Sequence, residues 1–508
     1  MGGTEHRTDN GLAEFGYSQS LERSIGKFAS FAAGVSYISV LTGTFQLFYF
    51  GYHWGGPAYW WSWPMVFTGQ LMVALCFAEL AGHYPVAGSV YNWSKQLAGP
   101  TTSWMAGWMM LTASIVTLSA TALAYQITLP KIWSGFQIVG DGGGEYDFAI
   151  NAVILGTVLI AFTTLINALG VKLMSRINST GVFIELVAAV VIIVLLAIHI
   201  HNPPTVLFDT QGRGAGMPLG YFGAFLIASL ASAYVMYGFD TASSLGEETV
   251  DPRNTAPAAI LRAVTASFVL GGLILLFGIL AAPDLTDPLI GDVAGGLQYI
   301  VLLVLGGTLG KIILISIAIA ITVCVLAVHT AAIRMMFAMA RDNALPAAAK
   351  LARVDPRHKT PIVPAVLIGA IAVGILVVNI RTPEIFTAVT SVAIIMIYIA
   401  YLLVTTPMLI QRLRGEWPVH DPEDRQSFSL GRLGLPINIL AVLWGSLMAL
   451  NLAWPRVEVY GERWYLRWVA FIFIGFVALS GLVWFRLRGR HKLGTLPEHM
   501  ADNLEEAP

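Results

Sequence analysis

The stretch Tyr237-Gly238-Phe239-Asp240-Thr241-Ala242-Ser243-Ser244 interrupts an otherwise apolar segment with a glycine, several hydroxyl groups and a carboxylate. A second interruption, Ser39-Val40-Leu41-Thr42-Gly43-Thr44, lies within the first apolar segment of the chain. Irregular backbone persists in a bilayer only where protein or a water-filled cavity supplies hydrogen-bond partners. Two interrupted helices at corresponding places in two halves of a chain are typical of the central site of a secondary transporter.

The sequence around these interruptions is that of a helical membrane protein. The chain has 508 residues, of which 12% are charged, and its mean hydropathy is +0.70. Soluble domains carry about a quarter of their residues as charged side chains. Residues 149–171, 263–283 and 385–410 contain no charged side chain, and each is long enough to cross a hydrocarbon core of about 30 Å. We therefore expect an all-α integral membrane protein.

Apolar runs and the glycine, proline and charged residues that bound them predict twelve transmembrane helices. The short apolar segment Val293–Leu305 is predicted to be a helix at the outer surface. The two interruptions fall in the first and sixth spans, so each opens a group of five. The predicted spans are 28–51, 59–81, 101–129, 149–169, 178–199, 221–245, 259–282, 306–332, 362–380, 383–410, 434–454 and 466–486.

The distribution of basic residues predicts the orientation. Twelve spans place both termini on one side, and Lys and Arg collect in the segments of that side. By the positive-inside rule both termini are cytoplasmic. Residues 1–27 lack the apolar core of a signal peptide and are expected to form a cytoplasmic tail. The two largest basic clusters are Arg334, Arg341, Arg353, Arg357 and Lys359, and then Arg412, Arg414, Arg425 and Arg432.

Several classes of function are excluded by the composition. A net charge of −1 gives no electrostatic basis for binding nucleic acid. Cys76 and Cys324 lie in apolar segments, so neither a disulfide framework nor a metal cluster is expected. There is no nucleotide-binding motif and no loop large enough for a catalytic domain. An integral-membrane enzyme would depend on the acidic loop residues 284–292, which lack metal-ligand partners, so we expect a non-enzyme without cofactor or metal.

Four short stretches lie in order along the first ten predicted spans. They resemble signatures of the amino acid–polyamine–organocation (APC) superfamily, within it the amino acid/choline transporter branch. Leu41 stands where that family has the first glycine of a Gly-Ser-Gly-type break. The stretches are Leu41-Thr42-Gly43-Thr44-Phe45; Phe77-Ala78-Glu79-Leu80 followed by Tyr84-Pro85-Val86-Ala87-Gly88-Ser89-Val90-Tyr91; Gly238-Phe239-Asp240 followed by Glu247-Glu248-Thr249-Val250-Asp251-Pro252-Arg253 and Pro257; and Arg341-Asp342-Asn343-Ala344-Leu345-Pro346.

The resemblance implies a LeuT-like fold with broken helices 1 and 6. Residues 28–199 and 221–410 would form two five-helix inverted repeats, 434–486 two peripheral helices, and 487–508 a cytoplasmic tail. The substrate would bind between the broken middles of spans one and six, flanked by spans three, eight and ten. The substrate-binding candidates are Ser39, Thr42, Gly43, Thr44, Tyr234, Tyr237, Gly238, Phe239 and Asp240.

The candidates have predicted roles, and Gly43 also has an alternative interpretation. A substrate carboxylate would meet the N–H groups of residues 42–44, whereas Gly43 taken alone is as readily explained by close helix packing. A substrate ammonium would meet carbonyl groups of residues 237–239, helped by Asp240. Tyr234, one helical turn before Gly238, is a candidate gate over the substrate.

Charged residues at membrane depth are costly and are functional hypotheses by default. Asp240 is expected to bind the substrate amine or to carry a coupled proton, with a structural acceptor role as the alternative. Glu185 in span five replaces a lysine that several sodium-independent relatives carry at the matching position. Its negative charge predicts a proton carrier or part of a cation site, unless it only satisfies a helix end.

Other ionisable residues are expected to lie away from the substrate. Glu79, at the end of span two, is predicted to belong to a cytoplasmic gate. Glu247 and Glu248 are predicted to form a charged inner cap with Asp251 and Arg253. His329, in span eight, is expected to be a satisfied core histidine.

These observations predict a secondary active transporter of the plasma (inner) membrane that takes up an amino acid or a related small amine by alternating access. Proton coupling is favoured over sodium coupling or exchange. A cationic amine such as choline, ethanolamine or a polyamine remains an alternative substrate, and a transporter-like nutrient sensor an alternative function. The expected partners are the small solute, the proton and the lipid bilayer; the sequence leaves the oligomeric state open.

Overall fold

The computed structural model describes residues 12–378, 380, 385–418 and 428–500, and of residues 385–389 the backbone only. Arg425 and the outer parts of both predicted tails lie outside these residues. The described chain is helical, with two isolated bridges in place of a sheet: Tyr17 pairs with Met500, and Ile25 pairs with Thr249. Both terminal segments therefore meet at one end of the helix bundle, which we call the terminal face.

The helices follow the apolar segments, since a buried backbone must form its own hydrogen bonds. The first half of the chain forms α1 Lys27–Ile38, α2 Val40–Gly55, α3 Ser62–His83, α4 Ser89–Leu97, α5 Pro100–Ala122, α6 Ala124–Ile132, α7 Asp147–Ala168, α8 Val171–Ala197 and α9 Gly220–Val235. The second half forms α10 Thr241–Ser244, α11 Pro252–Ala281, α12 Gly296–Leu305, α13 Gly307–Arg341, α14 Ala348–Leu351, α15 Ile362–Val378, α16 Ile385–Leu413, α17 Gly434–Ala453, α18 Val457–Tyr460, α19 Trp464–Arg467 and α20 Val469–Trp484.

Ten helices of the described residues are long and apolar enough to cross a membrane. They correspond to all the predicted spans except six and nine. Those two are the shorter apolar helices α9 and α15. Helix α9 is short because the chain leaves helical geometry at Met236, directly before the polar stretch that interrupts span six. The predicted short helix after span seven is present as α12 and is separated from α13 by Gly306, whose φ is +75°.

Helix packing brings the two interruptions together. Helix α2 packs along α9, while α1 packs against α8, α11 and α13. Helix α5 contacts both α13 and α16, and α3 lies against α11. The result is a buried apolar core in which the interruptions of spans one and six are side by side, surrounded by α5, α8, α13 and α16.

Candidate functional site

The first break is a single residue, Ser39, between α1 and α2. Its φ of 36° and ψ of 86° place it in the left-handed region, and its hydroxyl oxygen lies 2.6 Å from Thr42 Oγ1. The sequence suggested an interruption over residues 39–44, but the chain is helical again from Val40. The Gly43 N–H donates to the Ser39 carbonyl at 3.0 Å, so the exposed N-terminal amides of α2 precede Gly43.

Gly43 serves helix packing. A Cβ at this position would lie 2.7 Å from Val235 Cγ2, so the glycine allows α2 to approach α9 closely. The surroundings of Gly43 in the structure therefore agree with the alternative interpretation, in which this glycine serves close helix packing. Thr44, in the next position of α2, is also buried.

Glu185 lies at the start of the second half of the broken helix. Its Oε1 atom accepts hydrogen bonds from the Ser39 hydroxyl at 2.9 Å and from the Leu41 N–H at 3.2 Å. The side chain is buried, with 2% exposed. The N-terminus of a helix attracts anions through its free N–H groups and its dipole. Glu185 therefore occupies part of the place where the sequence predicted a substrate carboxylate.

The second break spans residues 236–240, between α9 and α10. Gly238 has a φ of +85°, and a Cβ there would overlap the ring of Tyr37. The Gly238 N–H donates to the Tyr401 hydroxyl at 2.9 Å. Only glycine combines this conformation with so close an approach, so the break depends on Gly238.

Asp240, the last residue of this break, is fully buried and is held by two hydroxyl groups. Tyr401 of α16 donates to Asp240 Oδ1 at 2.6 Å, and Ser89 of α4 donates to Oδ2 at 2.8 Å. Ser244 lies 2.9 Å from the Ser89 hydroxyl. The carboxylate thus connects the second break to two other helices.

Tyrosine side chains join the two breaks. The rings of Tyr37 and Tyr237 meet edge to face with centroids 6.1 Å apart, and the same holds for Tyr234 and Tyr237. The Tyr234 hydroxyl donates to Gln46 Oε1 at 3.1 Å. Phe239 packs on the opposite side, against Phe77 and Tyr401.

Sequence reasoning missed four polar partners in this region. Tyr401 lies in an apolar span and carried no local signal. Ser89 lies within a stretch that resembles the family, but nothing in the sequence gave it a role. Tyr37 and Gln46 are isolated polar side chains in span one. The hydrogen-bond partners that the side chains of Gln46, Ser89 and Tyr401 have in this region all lie more than 70 residues away in the chain.

Glu79 lies in a polar network at the terminal face. It forms an ion pair with Arg412 and accepts a hydrogen bond from Trp417 Nε1 at 3.0 Å. The Leu430 N–H donates to its other oxygen at 3.0 Å. This network connects the ends of α3 and α16.

Two buried ion pairs lie under the terminal face. Glu247 pairs with Arg341 and Glu248 pairs with Arg334, each at 2.6 Å with both side chains at most 1% exposed. The expected partner Arg253 instead pairs with Glu14. The sequence placed Arg334 and Arg341 after the end of span eight, but α13 continues to residue 341 and carries both into the protein.

The terminal segments cover these ion pairs. Tyr17 donates hydrogen bonds to the Asp342 carboxylate at 2.9 and 3.0 Å, and its ring lies 3.7 Å from the Arg341 guanidinium carbon. Burial raises the pKa of Tyr17, so its hydroxyl remains a donor at neutral pH. From the other end of the chain, the Leu496 N–H donates to the Arg341 carbonyl at 2.8 Å.

His329 is a satisfied core residue in the structure. Its Nδ1 lies 3.0 Å from Thr163 Oγ1, and its Nε2 lies 3.0 Å from the Ala365 carbonyl. Within the described residues no group of three or more His, Cys, Asp or Glu side chains is placed to hold a metal ion.

Comparison with known proteins places the chain in a family. Residues 25–482 match the family model described as amino acid permease. The amino-acid permease BAT1 of Arabidopsis thaliana is 30% identical over 87% of this chain and 88% of its own length. The branched-chain amino acid permease BcaP of Bacillus subtilis is 26% identical over 90% and 92%, and the methylthioribose transporter of the same organism is 28% identical over 75% and 82%.

These matches indicate a transporter rather than an enzyme, and the ten long apolar helices indicate a multi-pass membrane protein. The chain belongs to the amino acid permease family of the APC superfamily.

Proposed function

We propose that this protein is a secondary active transporter that takes up an amino acid or a related small amine by alternating access, coupled to protons. The observation that carries the proposal is the contact between the two helix breaks, where the Tyr37 ring lies against Gly238 and Tyr237. Helix breaks that face each other in a bundle present free amides and carbonyls to a zwitterion. The family membership supports an amino acid or a small amine as the solute.

The proposed architecture has twelve transmembrane helices, ten of them in two inverted repeats over residues 28–199 and 221–410. Helices at equivalent places in the two groups pack on each other, as expected for two related halves: α2 on α9, α3 on α11, α5 on α13 and α7 on α15. Residues 434–486 add two peripheral helices. The backbone bridge between Tyr17 and Met500 supports the placement of both tails, 1–27 and 487–508, on the same side of the membrane.

The proposed membrane is the plasma membrane, with both termini in the cytoplasm. The terminal face then becomes the cytoplasmic face, and the Glu79–Arg412 network together with the two buried Glu–Arg pairs becomes the inner gate. These pairs hold α3, α13, α16 and the segment after α10 together below the breaks. Opening toward the cytoplasm requires that they separate.

We assign substrate recognition to the residues around both breaks. The amino end of α2 would receive a carboxylate through the amides that precede Gly43 and the hydroxyl groups of Ser39, Thr42 and Thr44. The amine would meet the second break at Tyr237, Gly238 and Phe239, with Asp240 as its counter-ion. A carboxylate that accepts two hydroxyl donors retains lone pairs for a third partner. Tyr234, hydrogen-bonded to Gln46, is assigned to the gate above the substrate.

Glu185 is the proposed proton carrier, with Asp240 as the second candidate. Glu185 is buried, contacts the first break directly, and has hydroxyl and amide donors rather than a basic partner. A buried carboxylate without a counter-ion can change protonation state as the breaks move.

A cationic amine is the second candidate substrate. Asp240 and Glu185 are both buried beside the breaks, and the hydrogen bonds that each forms come from neutral groups. Two such carboxylates favour a net positive solute over a zwitterion if Glu185 remains ionised.

Thermal stabilisation of the purified protein by a panel of amino acids and amines tests these assignments. A ligand at about 100 times its Kd adds about 2.7 kcal/mol of stability. Stabilisation by zwitterions supports the carboxylate site on α2, whereas stabilisation only by amines without a carboxylate favours the second candidate. Uptake of the stabilising compound into proteoliposomes, with and without a pH gradient, then tests transport and proton coupling.

A further inference from the structure

A small cavity lies beside Glu185, between the first break and helices α8 and α11. It measures about 10 Å³, and its lining includes Val35, Val40, Ala189 and Leu270. That volume accommodates one water molecule. The walls are mostly apolar, so the polar atoms that face the cavity determine what it can hold.

Two polar side chains line this cavity, and each has an atom without a hydrogen-bond partner. These atoms are Glu185 Oε2 and Ser267 Oγ, and both are fully buried. The side chains are 2% and 1% exposed. Buried polar atoms without a partner are unfavourable, and they occur where an ordered water or an ion completes their hydrogen bonds.

We propose that this cavity is a site for a single water molecule, which bridges Glu185 Oε2 and Ser267 Oγ and exchanges the coupled proton with Glu185. The proposal rests on the proposed role of Glu185 as proton carrier and adds Ser267 of α11 as a positioning residue. Ser267 holds the water and does not itself change protonation state.

The chemistry of the walls favours water over a metal cation. Hard cations such as Mg²⁺ and Ca²⁺ take six or more oxygen ligands. The cavity offers one carboxylate oxygen and one hydroxyl, and a buried water needs as few as two polar partners.

The water relays the proton to Glu185 and is itself unchanged at the end of the transfer. In one concerted step the water takes up a proton from the aqueous phase and gives another of its protons to Glu185 Oε2, so that no hydroxide forms and the net change is one proton on the carboxylate. When the carboxyl group releases its proton, the same steps run in reverse. Ser267 Oγ keeps its hydrogen bond to the water throughout.

The groups around the Glu185 carboxylate come from three other parts of the structure: the first break with α2, helix α11 and helix α13. The first break presents the Ser39 hydroxyl to Oε1 and α2 presents the Leu41 N–H. On the α11 side the cavity is bounded by Ala266, Ser267 and Leu270. The nearby thiol of Cys324 on α13 is uncharged and donates to the Tyr37 carbonyl at 3.6 Å, so the Cys324→Ala variant should keep the pH dependence of the wild type.

Infrared difference spectroscopy of the full-length protein in lipid tests the site directly. A step in pH should give a water O–H band that shifts in H₂¹⁸O. This band should be absent in Ser267→Ala and Glu185→Gln and present in Ser267→Thr, which keeps the hydroxyl. The matched control is Thr265→Val, at an exposed position of the same helix.

Proton-coupled uptake gives the functional readout. In Ser267→Ala it should slow about tenfold, the effect of losing one hydrogen bond in the transfer step, while thermal stabilisation by substrate stays unchanged. The same ¹⁸O-sensitive band in wild type and Ser267→Ala would overturn the water site, as would a requirement for Na⁺ in place of the pH gradient. If the Glu185→Gln variant still transports protons, Glu185 is not the proton carrier. This result would overturn the proposed role of Glu185 whether or not the infrared band is present.

Discussion

The Tyr401 hydroxyl joins helix α16 to the second break: it donates to Asp240 Oδ1 at 2.6 Å and accepts from the Gly238 N–H at 2.9 Å. One hydroxyl therefore fixes both the backbone of the break and the carboxylate at its end. Any movement of α16 away from the breaks must separate these groups.

Replacement of Tyr401 by phenylalanine should loosen the second break. The Gly238 N–H and the Asp240 carboxylate lose a buried partner, which costs about 1–3 kcal/mol. Thermal unfolding should show this loss, and substrate affinity should fall. Tyr59→Phe is the control, because the Tyr59 hydroxyl is buried without a partner in the structure. Equal effects of both variants would contradict the role of Tyr401.

Replacement of Asp240 by asparagine should weaken binding of solutes that carry an ammonium group. The variant keeps the size of the side chain but removes the charge that is proposed to face the amine. Isothermal titration with the best ligand of the panel measures the change, and Asp284→Asn in an exposed loop is the control. Undiminished affinity would assign Asp240 to the structural role of holding Ser89 and Tyr401.

Replacement of Glu185 by glutamine should remove the pH dependence of transport and leave substrate binding intact. Glutamine cannot exchange a proton, but its amide oxygen can still accept from Ser39 and Leu41. Uptake into proteoliposomes across a series of external pH values measures the effect. Glu22→Gln, in an exposed ion pair with Lys172, should behave as wild type. A Glu185→Gln protein with the wild-type pH profile excludes Glu185 as the carrier.

Replacement of Arg341 by glutamine should destabilise the terminal face. Breaking one partner of a buried ion pair costs about 3–5 kcal/mol, because the remaining charge of Glu247 stays buried. The exposed pair of Lys172 and Glu22 is worth about 1 kcal/mol or less, so Lys172→Gln is the control. Thermal unfolding distinguishes the two. The double variant with Glu247→Gln should recover part of the loss, since no charge is then left unpaired.

Acidification should release the C-terminal segment from the terminal face. Burial and the nearby Arg341 lower the pKa of His499, whose Nε2 lies 3.1 Å from the Ala352 carbonyl. The neutral form is thus favoured when the segment is bound, and this stabilisation is lost as the pH falls below the ordinary histidine pKa of about 6.5. The protection factors of residues 494–500, which are exchange rates compared with those of unprotected amides at the same pH, should fall on acidification in the wild type. In His499→Gln the protection factors should not show this pH-dependent step, and a step of equal size there would refute the assignment.

The sequence predicted the class of fold and the two broken spans, since apolar length and polar interruptions are local properties. It placed the first break too broadly, because Gly43 and the hydroxyls of Thr42 and Thr44 suggest irregular backbone while the left-handed residue is Ser39. Glycine near a break can also serve packing, and only the position of Val235 on another helix distinguishes the two.

The polar partners of Asp240, Arg334 and Arg341 could not be predicted either, because these partners lie on distant parts of the chain. Tyr401 and Ser89 reach Asp240 from helices far away in the chain, and their neighbours in sequence give no sign of it. Arg334 and Arg341 resemble ordinary basic residues near a membrane surface. Their burial depends on Glu248 and Glu247, which only the folded bundle brings to them.

Glu185 binds the amino end of α2 with its own carboxylate, through Ser39 and the Leu41 N–H. A substrate carboxylate at that helix end would compete for the same donors, and two anions cannot share them. Neutralising Glu185 with a proton weakens this competition, because a neutral carboxyl group accepts hydrogen bonds less strongly than a carboxylate. Proton and carboxylate binding would then be positively cooperative, and by thermodynamic reciprocity each would raise the affinity for the other by the same factor. The internal carboxylate would thus serve as a built-in competitor of the substrate carboxylate, and its protonation would favour binding of the substrate.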